Sequence, residues 1–335
     1  MKTNLAQPGW RFLRRSFHAL IAAPVLVALV AAPFAAAQTP DDDVWWPSEW
    51  GPEDERGAAN RITPAKVLEA VSLIEEGRIY ELGRVYEDGM PLVGNRHYSL
   101  TIPGLPTSGA AGEGGTVFND ELVSAEIGQV GTQFDGLGHI GVERDGDHIF
   151  YNGFRLSEFG TAYGLERLGI ENVGVLFTRG VLIDVAGYKG VDRLDESYVI
   201  TVEDIEATLE MQGVSINEGD AVLFHTGWGQ LWMVDNETYG GNPPGPGITA
   251  IRWLTERNIV MTGGDTYPVE AVPGENPEDG IAGHEWLLVR NGIYNFENLD
   301  LSALAADGVY EFAFIFAPIK LRGATGSPGN PIAVR

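Results

Sequence analysis

The 335-residue chain contains no cysteine. This excludes disulfide staples, thiolate metal ligands and a cysteine nucleophile, so any bound metal must be held by oxygen and nitrogen alone. Positive charge is also scarce, with 22 Lys and Arg against 47 Asp and Glu. Four of those bases (Lys2, Arg11, Arg14 and Arg15) lie in residues 1–37, a stretch without acids. The other 298 residues therefore carry 18 bases against 47 acids, a formal charge of −29. Such a surface argues against nucleic acid and against an anionic membrane surface, both of which are recognised through Lys and Arg. There is no G-x-S-x-G elbow, since "GFRLSEFG" around Ser157 does not fit it, and there is no internal repeat or long linker.

What remains is ordinary globular material, 44% hydrophobic and 21% charged, on a chain long enough to bury a full core without staples. Residues 1–37 join a basic start to the apolar run "ALIAAPVLVALVAAPFAAA", ending in Ala35-Ala36-Ala37. This reads as a cleaved secretory signal and not as a retained anchor, because Pro24 and Pro33 interrupt the run. Arg14-Arg15 followed by Ser16-Phe17 is similar to a twin-arginine export signal. The expectation is an exported, periplasmic protein that is free of the membrane once the signal is removed.

Residues 38–60 are acidic and Trp-rich, and are expected to form an N-terminal arm on the surface of a domain spanning 61–335. Thr63 and Pro64 predict a helix start, an apolar stripe of Val67, Leu68, Val71 and Ile74, and an end at Gly77. Thr201 with Asp204 predicts a capping box for a second helix, ending at Gly213, and "ITAIRWLTERN" predicts a third. "RIYELGRVYEDGMPL", "VGVLFTRGVLIDV", "DAVLFHTGW", "IVMTGGD" and "VYEFAFIFAPIKL" read as strands. Helices and strands alternate, which predicts a single α/β domain with a mixed sheet core and flanking helices. Residues 103–115 form a Gly/Pro loop.

The segment "IGQVGTQFDGLGHIG" (127–141) places Gln129, Gln133, Asp135 and His139 at offsets of equal parity, with glycines among them. A straight strand would hold Gln129 and His139 about 33 Å apart. A helix would point Asp135 away from the two glutamines. To gather these four side chains the segment has to bend, which Gly131, Gly136, Gly138 and Gly141 permit. Spacing alone leaves two readings: a metal-binding segment, or a Gly-rich turn with its glutamines on backbone groups and His139 satisfied in the core.

The segment resembles the metal-binding motif H-x-G-T-H-x-D-x-x-x-H of the cyclase superfamily of metal-dependent hydrolases, which includes kynurenine formamidases and isatin hydrolases. Gly131, Thr132, Asp135 and His139 match, while Gln129 and Gln133 stand where the first two histidines would. The Q-x-x-x-Q-x-D-x-x-x-H form is similar to the branch of zinc-dependent trans-dienelactone hydrolases. "GHEWLLVRNGIYNFENLDL" (283–301) resembles the family's distal block, in which His284 and Glu297 would complete the site. "FHTGW" (224–228) and "GGDTYP" (263–268) fall where the family has core strands, so the resemblance spans about residues 45–322.

The resemblance implies the swivelling β/β/α fold of that superfamily and one divalent ion, Zn2+ or Mn2+. Gln129, Gln133, Asp135, His284 and Glu297 would be its ligands, and His139 and Glu297 the catalytic acid and base. The implied substrate is a small cyclic compound opened at a lactone, cyclic imide or aryl amide bond. The implied assembly is a homo-oligomer, dimer or tetramer. The competing class is a non-catalytic binding protein whose metal site the two glutamines have weakened. His225 is expected either in the pocket or in the core, Asp265 either orienting a ligand or capping a turn, and His97 and His148 in solvent. Trp45, Trp46, Trp50, Tyr151 and Trp228 are candidates for a pocket wall.

Overall fold

The computed structural model describes residues 44–335 apart from Asp145. The expected export segment, with His18, and the first residues of the acidic arm lie outside the described residues. Among the described residues no helix is long and apolar enough to cross a membrane.

Nine strands form one mixed sheet: β1 (Ile79–Glu81), β2 (Gln133–Asp135), β3 (Leu176–Asp184), β4 (Ala221–His225), β5 (Met261–Gly264), β6 (Tyr294–Glu297), β7 (Glu311–Phe316), β8 (Gly326–Pro328) and β9 (Ile332–Val334). In space their order is β1-β9-β7-β3-β4-β5-β6-β2-β8. β3, β4, β5 and β6 run parallel, and the outer neighbours are antiparallel. The chain ends dictate the curvature. β9 and β8 would stand about 34 Å apart in a flat sheet of normal strand spacing. Only four Cα steps join Pro328 to Ile332, a reach of about 14 Å at most. The sheet therefore curls.

β3 and β4 read as largely apolar runs because both their faces are covered, whereas β6 alternates polar and apolar residues. Thr63 caps helix α1 (Pro64–Ser72) by accepting from the Lys66 N–H. The Thr201/Asp204 capping box opens α2 (Val202–Gln212), which ends on left-handed Gly213, and α3 spans Ile248–Thr255. The stripe expected on α1 is a correction. Leu68, Val71 and Ile74 face solvent, and the helix ends five residues before Gly77. Ala70 and the Lys66 stem pack inward instead. The reason is electrostatic: Lys66 Nζ lies 2.5 Å from Asp220 Oδ1, a fully buried carboxylate that also receives Arg179. Arg179 is held in turn by Glu311 on β7.

The Gly/Pro loop of 103–115 joins the strands Tyr98–Thr101 and Leu122–Ala125 of a separate hairpin and is largely exposed. In the arm, the Ser48 N–H donates to Asn152 Oδ1, and Gly153 sits against the Trp46 ring where a Cβ would approach to 2.5 Å.

Replacing Asp220 by Ala leaves Lys66 and Arg179 without their shared buried anion. Breaking a buried pair from one side costs about 3–5 kcal/mol. Urea denaturation is expected to show a loss of that size, and a loss under about 1 kcal/mol would show that the network does not hold α1 to the sheet.

Candidate metal centre

The antiparallel register of β2 and β6 builds the centre. Gln133 lies opposite Glu297, Phe134 opposite Phe296 and Asp135 opposite Asn295. Side chains alternate faces along a strand. The polar members therefore point to one side of the sheet, and the two phenylalanines point to the other. Phe134 packs there with Tyr294, Phe296 and Phe316, at ring-centroid distances of 5.0, 5.4 and 5.1 Å.

His284 comes from outside the sheet, at the start of a π-helical turn (Glu285–Arg290) that buries Leu287, Leu288 and Val289. Its Nδ1 lies 2.6 Å from Glu270 Oε2, and its backbone N–H donates to Glu270 Oε1 at 3.2 Å. This fixes the ring so that Nε2 faces Glu297 Oε1 at 3.0 Å and Asp135 Oδ2 at 3.5 Å. Asp135, His284 and Glu297 are all buried, and one donor atom from each lies within 4.8 Å of the others.

Asn295 fills the middle. Its single NH2 group faces Asp135 Oδ2 (3.2 Å), His284 Nε2 (3.0 Å) and Glu297 Oε1 (2.9 Å), three acceptor positions for two hydrogens. Asp135 Oδ1 is buried with no hydrogen-bond partner, as are Asn295 Oδ1 and Gln129 Nε2. A neutral His284 that donates Nδ1–H to Glu270 would aim a lone pair at two carboxylates. A divalent cation suits that donor set: hard carboxylate oxygens and one imidazole nitrogen, steadied by a carboxylate on the far ring nitrogen.

Without the ion, protons carry the balance. Burial pushes the Glu297 carboxyl up to about 7, helped by the negative Asp135 and opposed by His284. Burial also works against an ionised Asp135, but the charges of His139 and His284 and the hydrogen bonds from His284 and Asn295 hold it below the usual carboxylate range. Burial would lower His284, yet Glu270, Asp135 and Glu297 together raise it well above an ordinary histidine.

The structure places the other expected residues around this cluster. Gln133 is buried and donates through Nε2 to Glu297 Oε2 at 2.9 Å and to Gln129 Oε1 at 3.3 Å. Gln133 thus meets the centre through its amide with Gln129 behind it, and turning the Gln133 amide by half a rotation presents its carbonyl oxygen instead. His139 lies on the turn after β2, its Nε2 3.9 Å from Asp135 Oδ1, outside the three-residue cluster. Burial lowers its pKa, as do the charges of His284 and Arg96, against the pull of Asp135.

The bend expected of the whole segment is confined to its ends, because Gln133–Asp135 is extended strand. Gly131 supplies the left-handed residue (φ +61°), and a Cβ there would lie 2.7 Å from the Tyr86 ring. Gly136 serves close approach, because its Cβ would meet the Thr325 carbonyl oxygen at 2.8 Å.

His225 lies apart, its Nδ1 2.6 Å from Asp184 across the β3–β4 register. Asp265 ties turns together by accepting from Thr226 and Gly229. His97 is exposed, between Glu126 and Ser124, and His148 is exposed too. None of the five aromatics singled out as pocket walls lines the cavity beside the centre, which is bounded by Tyr239 and Tyr267. Trp228 is instead buried, donating to the Tyr239 carbonyl, and Tyr151 donates to Asp54.

Sequence reasoning missed Asn295 and Glu270. Asn295 had a signal, since in "YNFE" it shares the parity of Glu297 just as Gln133 shares that of Asp135. Glu270 had none, because only the folded chain brings "PVEAVPG" against His284.

The curled α/β sheet carries a buried acid–imidazole cluster whose donor set would suit a divalent cation. Residues 80–271 match the Cyclase family, described as "Putative cyclase". A crystal structure titled as a novel cyclase is 30% identical, covering 85% of this chain and 96% of that one, with a TM-score of 0.75. The chain is a member of the cyclase family.

Isatin hydrolase A from Labrenzia aggregata, bound to benzyl benzoate, shares the fold at 23% identity and a TM-score of 0.55, covering 80% of this chain and 98% of that one. An isatin hydrolase bound to the product analogue thioisatinate shares it at 20% identity and a TM-score of 0.54, covering 80% and 94%. No curated protein matches.

Glu270→Gln removes the charge that orients His284, and such outer carboxylates are worth about 10–100-fold in metal affinity. Calorimetric titration of metal-free protein is expected to show that loss, and unchanged affinity would remove Glu270 from the site. Binding is also expected to tighten as pH rises from about 5 to 8 in the wild type. Glu297, titrating at about 7, must lose its proton to bind, so uptake near pH 6 releases protons to the buffer. Affinity independent of pH would contradict the ligand set.

Proposed function

We propose that this chain is a metal-dependent hydrolase that opens a lactone, cyclic imide or aryl amide of a small cyclic substrate. The observation that carries the reading is the convergence of Asp135, His284 and Glu297 donor atoms in a buried pocket, with His284 fixed by Glu270. These three residues would hold one divalent ion, zinc or manganese, with Gln129 and Gln133 beside it as carbonyl donors. When bound, such an ion brings the pKa of water toward about 7 and polarises a carbonyl.

The protein's own side chains do the rest. His139 is kept neutral near pH 7 by burial and by the positive charge of Arg96, so its ring can accept a proton. Asp135, 3.9 Å from its Nε2, stabilises the charge it then carries. His139 next delivers that proton to the leaving oxygen or nitrogen. Glu297, fully buried and shared by Gln133, Asn295 and His284, is assigned to holding the ion, so that proton transfer falls to His139. Export to the periplasm through residues 1–37 and assembly as a homo-oligomer belong to the same proposal. The basic start and apolar run of residues 1–37 support export, and exposed Leu100, Phe118 and Val123 on the hairpin region fit a subunit contact.

The test is elemental analysis of the purified mature chain before and after chelator, alongside a panel of lactones, cyclic imides and N-formyl anilines. One equivalent of metal and chelator-sensitive hydrolysis are expected. A stable, metal-free protein without turnover would favour the non-catalytic binding class. Asp135→Asn is expected to lose both metal and turnover. His139→Ala is expected to keep the metal while kcat falls by about 10²–10⁴. Loss of metal from His139→Ala would make His139 a ligand.

A further inference from the structure

The ladder between β2 and β6 ends at the pair Gln133 and Glu297, whose side chains meet at 2.9 Å. The last pair of a ladder opens most easily, so this contact needs a restraint beyond the ladder itself. Directly past it both chains turn off through the left-handed region, at Gly131 (φ +61°) and at Asn298 (φ +58°). Glycine is at home there, and asparagine tolerates it better than most side chains.

Backbone preference alone would account for the residue type at 298, as it does at exposed Asn258, which is also left-handed. It does not account for where the rest of the side chain goes. Asn298 is buried, its Nδ2 donates to the Gly131 carbonyl at 2.6 Å, and its Oδ1 accepts from the Tyr239 hydroxyl at 2.6 Å. Thr132 returns the bond. Fully buried, it donates through Oγ1 to the Asn298 carbonyl at 2.9 Å and accepts the Arg84 N–H on the same oxygen at 2.7 Å. Thr132 directly precedes Gln133, and Asn298 directly follows Glu297. The two chains are therefore clasped from both sides, one residue beyond the polar pair that faces the centre.

A cation site needs its donor atoms held to about 0.5 Å, by groups that are themselves locked. Gln133 and Glu297 stand on different strands, so their separation depends on how the two strand ends are joined. We propose that Asn298 is a positioning residue of the centre: its side chain, with Thr132 closing the clasp, sets the distance between Gln133 and Glu297 and so the space offered to the ion. It supplies no ligand and acts only through those two residues. This differs from the part played by Glu270, which orients one ring. The inference rests on the metal reading above.

The experiment titrates zinc by calorimetry into metal-free wild type, Asn298→Gly, Thr132→Val, Thr132→Ser and the double variant Asn298→Gly/Thr132→Val, at a temperature where each is folded. Glycine suits the left-handed backbone, so Asn298→Gly removes the side chain and leaves the turn. Zinc affinity is expected to fall by at least about tenfold in Asn298→Gly and in Thr132→Val. Thr132→Ser keeps the hydroxyl and is expected to stay within about threefold of wild type, and the double variant to lose no more than about twice what the weaker single variant loses, because both bonds close one clasp. Wild-type affinity in Asn298→Gly with a lowered melting temperature would make Asn298 a purely structural residue and overturn the proposal. Losses that multiply in the double variant would overturn it as well.

A crystal structure of metal-free Asn298→Gly gives a readout that needs no ion. The distance from Gln133 Nε2 to Glu297 Oε2 is expected to open beyond about 3.5 Å, and survival of the 2.9 Å contact overturns the proposal. Should the wild type take up neither zinc nor manganese, the metal reading fails, and this distance alone decides whether Asn298 positions the pair. If Asn298→Gly does not fold, Thr132→Val set against Thr132→Ser carries both readouts.

Discussion

Two carboxylates crowded against an imidazole in a buried site repel one another unless a positive charge, a bound cation or a protonated His284, stands among them. Everything else at this centre follows from that constraint. Charged groups out of water are tolerated only when paired, and here the pairs are incomplete. Asp135 keeps an unsatisfied oxygen, Glu297 is driven toward its protonated form, and Asn295 divides one NH2 group among three neighbours. A fold that maintains such an arrangement spends stability to do so, as functional sites do.

The rest of the molecule holds that arrangement rigid. The β2–β6 pairing fixes which residues face each other, and a slip of one residue would turn Gln133, Asp135, Asn295 and Glu297 into the core and the phenylalanines into the pocket. The aromatic cluster of Phe134, Tyr294, Phe296 and Phe316 makes that slip costly. On the open side, the π-helical turn and Glu270 set the His284 ring. Three separate elements thus converge on one small volume, each locked by contacts outside it.

Much of this was legible in the sequence, and the failures have physical causes. Strand runs such as "VGVLFTRGVLIDV" declare themselves because strands buried on both faces are mostly apolar. The polar members of β2 were visible as residues of equal parity, and the distal His284 and Glu297 through resemblance. α1 misled because a stripe of Val, Leu and Ile normally faces a core, whereas here a buried Asp220 demanded Lys66 and took the inward face. Asp220 is far away in sequence and gave no local sign. Glu270 stayed hidden for the same reason: a carboxylate that orients a histidine is recognised only once the fold has chosen its neighbours. The aromatics nominated as pocket walls failed likewise, since burial of Trp228 and the tie from Tyr151 to Asp54 are tertiary facts.

The central claim is that the Asp135–His284–Glu297 cluster is a cation site. Anomalous diffraction at the zinc and manganese edges from crystals of the loaded protein tests it directly. The account predicts one strong peak within about 2–2.3 Å of an oxygen of Asp135, an oxygen of Glu297 and Nε2 of His284. A peak elsewhere in the molecule, or an ordered cluster with none between its donor atoms, would contradict it.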